Sequence, residues 1–152
     1  MNMVVTIASD HAGYDLRQKV VAHLKEKGFE VLERGAESAD QPYSWVEAGE
    51  LIADDILSGR AEKGIAICGT GIGISITCNK FKGIRCALSH NEYTARICRE
   101  HNDANVLAFG ARVIGQAVAL EMVDAFFGGS FGGGRHGVRV DQLKALEDKN
   151  FK

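Results

Sequence analysis

Short β-rich runs recur along this chain at residues 4–9, 30–33, 64–68, 84–88 and 105–109, and each gap between them carries a helical pattern. Several of the runs are nearly continuous apolar stretches, as expected of parallel strands covered on both faces. Leu16, Val20 and Leu24 mark one face of a first helix, with Gly28 placed to end it. Gly49, Ile52, Ala53, Ile56 and Leu57 mark a second helix, ending near Gly59. A shorter third helix follows the glycine loop at 69–73. Thr94, Ile97, Cys98 and His101 line a fourth, and Ala119, Met122, Val123 and Phe126 a fifth. In a final charged helix over 138–149, Val140, Leu143 and Leu146 are spaced for packing. Strands alternating with helices predict an α/β fold: a doubly wound, Rossmann-like, five-stranded parallel sheet with helices on both faces. With 152 residues, no linker and no internal repeat, one domain over 1–152 is expected.

Composition narrows the function. Apolar residues make up 45% and charged residues 25%, and the net charge of −2 comes with no basic block, which gives no support for nucleic-acid binding. No apolar stretch approaches the roughly 18 residues of a membrane span. The start, Met1, Asn2, Met3, has no basic flank and no small-residue cleavage site, so a cytoplasmic protein is expected. Cys68, Cys78, Cys86 and Cys98 show no C-x-x-C spacing and no histidine cluster, so they are read as free thiols, with neither a metal site nor a cofactor.

In a doubly wound sheet, ligands bind beyond the carboxyl ends of the strands. Those ends here carry Ser9, Asp10 and His11; Cys68, Gly69, Thr70 and Gly71; Ser89, His90 and Asn91; and Gly110, Ala111 and Arg112. The loop Gly69, Thr70, Gly71, Ile72, Gly73, continuing to Ser75, lies between a buried strand and a helix. Its backbone N–H groups suit a phosphate or a developing oxyanion. A tight strand-to-helix turn would also explain its glycines. The spacing is not G-x-G-x-x-G, and the lysine of a Walker A loop is missing. A thiol at Cys68, facing this loop, should be favoured as thiolate near neutral pH. Cys78, Cys86 and Cys98 fall inside apolar patterns and are read as small core residues. His11 follows Asp10, where a titratable pair is more than packing. His101 shares a face with Ile97 and Cys98, which fits a core histidine, yet it stands beside Asn102 and Asp103, just before the fifth strand. Arg135 and Arg139 lie four apart. If a helix begins near Arg135, they share a face and can fork onto one phosphate; a solvated charged face is the alternative. Arg112 is a third cation at a strand end.

These stretches together resemble the type B ribose-5-phosphate isomerases, to which the galactose-6-phosphate isomerase subunits are related. The resemblance rests on Ser9 through Gly13, on Ile67 through Ser75, on Asn79, Lys80 and Phe81, on His101 through Leu107, on Gly110 through Arg112, and on Gly134, Arg135 and His136. It implies reversible conversion of ribose 5-phosphate to ribulose 5-phosphate by a metal-free homodimer, or a tetramer, with sites built across the interface. It implies Cys68 as the base that moves a proton between C1 and C2. The backbone of Gly69, Gly71, Ile72 and Gly73 would hold the enediolate oxygens. Thr70 would help at ring opening, His101 would assist opening of the furanose, and Asn102 would contact sugar oxygens. Asp10, His11, Ser75 and His136 would line the site, and Arg112, Arg135 and Arg139 would hold the phosphate. The family's Asp-Tyr-Pro is altered here to Asp40, Gln41, Pro42, Tyr43, Ser44, Trp45, which bears on substrate size and stereochemistry. The same chemistry on a tetrose 4-phosphate or hexose 6-phosphate is the alternative within enzymes, and a non-catalytic phosphate sensor is the alternative outside them. A cysteine phosphatase would need an arginine where Ile74 stands.

Overall fold

The computed structural model describes residues 2–151. Its strands are β1 (Val4–Ser9), β2 (Glu30–Gly35), β3 (Lys63–Cys68), β4 (Cys86–Leu88) and β5 (Val106–Gly110). Its helices are α1 (Tyr14–Glu26), α2 (Trp45–Leu57), α3 (Ile72–Cys78), α4 (Glu92–Asn102), α5 (Gln116–Gly128) and α6 (Arg135–Asn150). All strand pairs are parallel, in the order β2-β1-β3-β5-β4. The chain steps outward from β1 to β2 and then returns to the other side of β1 as β3. That reversal opens a crevice at the carboxyl ends of β1 and β3.

The alternation of strand side chains separates two cores. Val5, Ile7, Ile65, Ile67, Leu107 and Phe109 face α1, α4 and α5, together with Val20, Leu24, Cys98, Val123 and Phe126. Ala8, Ala66, Cys68, Val106 and Ala108 face α2 and α3, together with Ile52, Ala53, Ile74 and Cys78. Ala8 pairs with Ala66 and Ala66 with Ala108, so a row of methyl groups crosses three strands on that face. The short row lets α2 and α3 pack close against the sheet, and it directs Cys68 toward the same side. Local signals set the helix starts. The Ser44 hydroxyl accepts from the N–H groups of Val46 and Glu47 at the head of α2, and Asn91 accepts from Thr94 N–H at the head of α4.

Three boundaries differ from the sequence reading by two residues or more. β2 runs on to Gly35, because it pairs with β1 along its full length and the buried Arg17 guanidinium donates to the carbonyls of Arg34 and Ala36. β4 begins only at Cys86, because Arg85 N–H is taken by the Asn105 side chain. α6 begins at Arg135, and of its three spaced apolar residues only Val140 is buried; Leu143 and Leu146 remain 43% and 53% exposed.

One buried charge lies beneath α2. Asp55 is 1% exposed and accepts from Thr6 Oγ1 at 2.7 Å, from Arg34 Nε and Nη2 at 3.0 and 2.9 Å, and from Arg60 Nε at 3.0 Å. Burial alone opposes ionisation, but the hydrogen bonds from Arg34, Thr6 and Arg60 outweigh it and hold the carboxyl below its ordinary value. A depressed carboxyl stabilises the fold above its unfolded pKa and loses that contribution as pH falls through the folded one. Asp55→Asn should therefore cost about 2–4 kcal/mol near pH 7, read from urea unfolding. The gap from wild type should narrow as the pH is taken below the ordinary carboxylate value. A pH-independent difference would rule out the ionised carboxylate as its source.

Candidate active site

β3 ends on Cys68 just where the chain must turn into α3. Gly71 N–H donates to Cys68 Sγ at 3.1 Å, and Ile72 N–H donates to Thr70 Oγ1 at 3.1 Å. An N–H that points at sulfur interacts more strongly once the sulfur is a thiolate. The turn depends on two glycines. Gly71 has φ +81°, and a Cβ there would stand 2.6 Å from Leu88 Cδ1 and 2.7 Å from the Phe109 carbonyl carbon. A Cβ at Gly110 would meet the Thr70 backbone at 2.5 Å. The loop is thus pressed backbone to backbone against the end of β5. Ala111 N–H donates to Cys68 O and Arg112 N–H to Gly69 O, each at 2.9 Å. These bonds bring the Arg112 side chain over Gly69, where a Cβ would sit 3.2 Å from its Nη1. Ser75 is buried, and its hydroxyl already donates to Ile72 O at 2.8 Å, so it braces the first turn of α3.

The end of β1 supplies the neighbouring wall. Asp10 is 5% exposed, and its Oδ1 accepts the Gly13 N–H at 3.1 Å, fixing the entry to α1. His11 Nδ1 accepts the Tyr43 N–H at 3.0 Å, so the neutral ring carries its proton on Nε2. Tyr43 is half-buried, and burial followed by the nearby Glu47 carboxylate pushes its phenol above the ordinary value.

The remaining candidates gather elsewhere. α4 follows β4 and runs back along the sheet, so His101 and Asn102, on its last turn, reach the amino edge of the strands. There Asp103 pairs with Arg85, just before β4. Gly132 N–H donates to Glu100 O and draws in the loop that precedes α6. His136, on the first turn of α6, stacks on His101 with ring centroids 4.0 Å apart and an angle of 12°. Burial, then the nearby His101 and Arg135, push His136 below the ordinary histidine value. Arg135, His136, Val138 and Arg139 line a pocket of about 300 Å³, and Arg139 also donates to the Gln142 side chain. An eleven-residue α4, about 16 Å long, separates this group from the carboxyl edge. The candidate residues therefore fall into two groups at opposite edges of one sheet. Asp10, His11, Cys68, Gly69, Thr70, Gly71, Ile72, Gly73, Ser75 and Arg112 are at the carboxyl edge, and His101, Asn102, Arg135, His136 and Arg139 at the amino edge.

The other thiols are part of the packing. Cys78 and Cys98 are buried and Cys86 is half-buried. Burial pushes Cys98 up to about 11, and the contact with Cys78, then burial, raise Cys86. Among the described residues no cluster of histidine, cysteine and carboxylate side chains is set to hold a metal, and no helix is long and apolar enough to cross a membrane. A cavity of about 470 Å³ lies away from Cys68. It is an apolar groove between β4 and α6, with Cys86, Leu143 and Leu146 in its wall and Asn102 at its rim. Sequence reasoning missed two supports of the site, the Tyr43 N–H on His11 and the buried Arg17 that ties Ser9 to β2. Both depend on contacts distant in sequence; the only local hint was a charged residue on an apolar helix face.

The family model described as Ribose/Galactose Isomerase matches residues 5–143. The chain is 42% identical over 145 residues to Ribose-5-phosphate isomerase B of Escherichia coli (strain K12), covering 95% of this chain and 97% of the relative. It is 37% identical over 147 residues to the 4-deoxy-4-sulfo-D-erythrose isomerase of Clostridium sp. (strain MSTE9), covering 97% and 92%. Among solved structures, Clostridium thermocellum Ribose-5-Phosphate Isomerase B superposes with a TM-score of 0.94 at 44% identity, covering 97% of this chain and 99% of that one. Ribose-5-phosphate Isomerase B from Mycoplasma genitalium with bound Ribulose-5-phosphate superposes with a TM-score of 0.93 at 36% identity, covering 99% of each chain.

The geometry of the loop makes Gly71 the sensitive point. Gly71→Ala should cost on the order of 1–3 kcal/mol from the left-handed backbone alone, with displacement from Leu88 and Phe109 added to it. Thermal unfolding together with the rate of Cys68 alkylation would show both effects. A variant with wild-type melting and wild-type alkylation would mean that the turn tolerates the side chain.

Proposed function

Because this chain belongs to the ribose/galactose isomerase family and is an aldose–ketose isomerase, we propose that it interconverts ribose 5-phosphate and ribulose 5-phosphate, with Cys68 as the base. The contact between Cys68 Sγ and the Gly71 N–H carries this reading, because it sets a proton acceptor directly against a cradle of backbone donors. His101 assists opening of the furanose, and Thr70 supports that step. In the open-chain aldose, the Cys68 thiolate removes the C2 proton. The electron pair left behind forms the C1–C2 double bond of the enediolate, and the carbonyl oxygen on C1 takes up the negative charge. Return of the proton from the thiol to C1, with transfer of the O2 hydroxyl proton to O1, gives the ketose. A positioned base typically contributes about 10²–10⁴-fold, and oxyanion donors such as the 69–73 backbone contribute about 10²–10³ each. These steps need a base and oxyanion donors, and activity is expected to persist in the presence of a chelator.

Asp10, His11 and Ser75 frame the reacting end, and Asn102 binds sugar oxygens. Arg135, His136 and Arg139 hold the phosphate, with Arg112 completing the positive rim on the Cys68 side. Binding energy from a phosphate remote from C1 and C2 orients the reacting carbons. One chain keeps its two half-sites at opposite edges of the sheet, so the working unit is a homodimer in which each copy lends its amino-edge group to the other's Cys68. The whole of residues 1–152 serves as one isomerase domain, in a cytosol where Cys68 stays reduced. The altered 41–45 stretch, and a relative named for a sulfonated four-carbon sugar, support a second reading in which the same chemistry acts on a shorter sugar.

Mixing two inactive variants tests the arrangement on ribose 5-phosphate. Cys68→Ala and Arg139→Ala, each alone, should lose most activity. Co-refolded in equal amounts, half of the dimers are mixed, and each has one intact site, so about a quarter of wild-type activity should return. No recovery from a mixture shown to form mixed dimers would place both residues in the site of a single chain.

A further inference from the structure

Trp45 is the only tryptophan in the chain, and it is the first residue of α2. A Cβ built on Gly73 would lie 2.8 Å from Trp45 Cδ2 and 2.9 Å from both Cε2 and Cε3. Three adjacent ring atoms at nearly the same distance mean that the indole lies flat on the Gly73 backbone. Gly73 is not among the residues with positive φ, so its backbone does not require glycine. What requires it is the indole, since a methyl group at this position would meet the ring first. The other end of the same short segment is fixed as well, because Tyr43 N–H donates to His11 Nδ1 at 3.0 Å. Residues 43–45 therefore run from His11 to Gly73, across the carboxyl edge that holds Cys68. Gly71, whose N–H meets Cys68 Sγ, is two residues, or at most about 7 Å of chain, from the point where the indole is seated. Trp45 remains 44% exposed, so the ring is pinned on one side and open on the other. An aromatic ring with one face open beside a polar cradle is suited to pack against the apolar side of a ligand.

We propose that Trp45 is a specificity-determining residue, an apolar wall of the sugar site that limits the length of aldose phosphate brought to Cys68. This rests on the isomerase reading above. A rigid indole offers its face to the C–H groups of a sugar and offers no acceptor in that direction to additional hydroxyls. With C1 and C2 at the 69–73 cradle and the phosphate held at the far end, an extra carbon must bow the sugar chain outward; the indole seated on Gly73 takes up that room, so a five-carbon substrate is admitted and a six-carbon one is hindered. Because Gly73 is the seat of the ring, a methyl group there would move the wall without removing it.

Initial rates on ribose 5-phosphate and on an aldohexose 6-phosphate of the same C2 and C3 configuration give the test for wild type, Trp45→Ala, Trp45→Phe and Gly73→Ala. The pentose-to-hexose ratio of kcat/KM should fall by about tenfold or more in Trp45→Ala and in the same direction in Gly73→Ala, while Trp45→Phe, which keeps a flat ring, stays near wild type. A ratio unchanged in Trp45→Ala, even with lower overall activity, would leave the indole a packing residue and overturn the proposal. Emission from the single tryptophan gives a second readout without turnover. In Cys68→Ala it should shift saturably with ribose 5-phosphate and stay unchanged with inorganic phosphate. No shift under conditions where isothermal calorimetry shows ribose 5-phosphate bound would also overturn it. Should Cys68→Ala still turn over substrate, it is the role of Cys68 that fails, and the substrate ratios continue to report on Trp45.

Discussion

The edge of the sheet that carries Cys68 depends on one close approach, the Thr70 backbone lying against Gly110 with no room for a Cβ between them. That contact fixes the 69–73 loop on the end of β5, and the bonds from Ala111 and Arg112 to the Cys68 and Gly69 carbonyls hold it there. The left-handed Gly71 then turns its N–H toward Cys68 Sγ. Sulfur, backbone donors and the Arg112 side chain are placed by main-chain geometry, which is stiffer than any chain of side-chain contacts. Preorganised donors of this kind need no rearrangement when charge develops on a substrate oxygen.

The sheet beneath is arranged to bring α3 to that position. The alanine row Ala8, Ala66, Ala108 thins the face under α2 and α3, whereas the opposite face carries isoleucine, leucine and phenylalanine. Thin packing on one side lets the loop, α2 and its first residue Trp45 converge above β3. Bulk on the other side provides most of the buried apolar area, which dominates the driving force for folding. The depressed Asp55 carboxylate and the buried Arg17 tie α2, β1 and β2 beneath the same edge.

Much of this was legible in the sequence. β1 was located to the residue, and the glycine loop with Cys68 stood out because strand, thiol and glycines are contiguous. What could not be read was distance across the fold. His101, Asn102, Arg135 and Arg139 carry the right chemistry, but only the return path of α4 reveals that they lie at the far edge from Cys68. Leu143 and Leu146 have the spacing of packing residues yet stay exposed in the single chain, since periodicity marks a face without saying what covers it. The extension of β2 to Gly35 was hidden for a related reason: Arg34 and Gly35 look like a loop until Arg17 satisfies the carbonyls around them.

The central claim is that Cys68 itself moves the proton between the two carbons, and solvent isotope exchange addresses it most directly. With ribose 5-phosphate in D₂O, proton NMR would follow deuterium entering C1 of the ribulose 5-phosphate formed and C2 of the ribose 5-phosphate re-formed. Wild type should show exchange accompanying isomerisation. Cys68→Ser should bind ribose 5-phosphate with nearly unchanged affinity while both exchange and isomerisation fall by about a thousandfold or more, as loss of a positioned base requires. Exchange persisting near the wild-type rate in Cys68→Ser would contradict the assignment and move the base to another residue of the site.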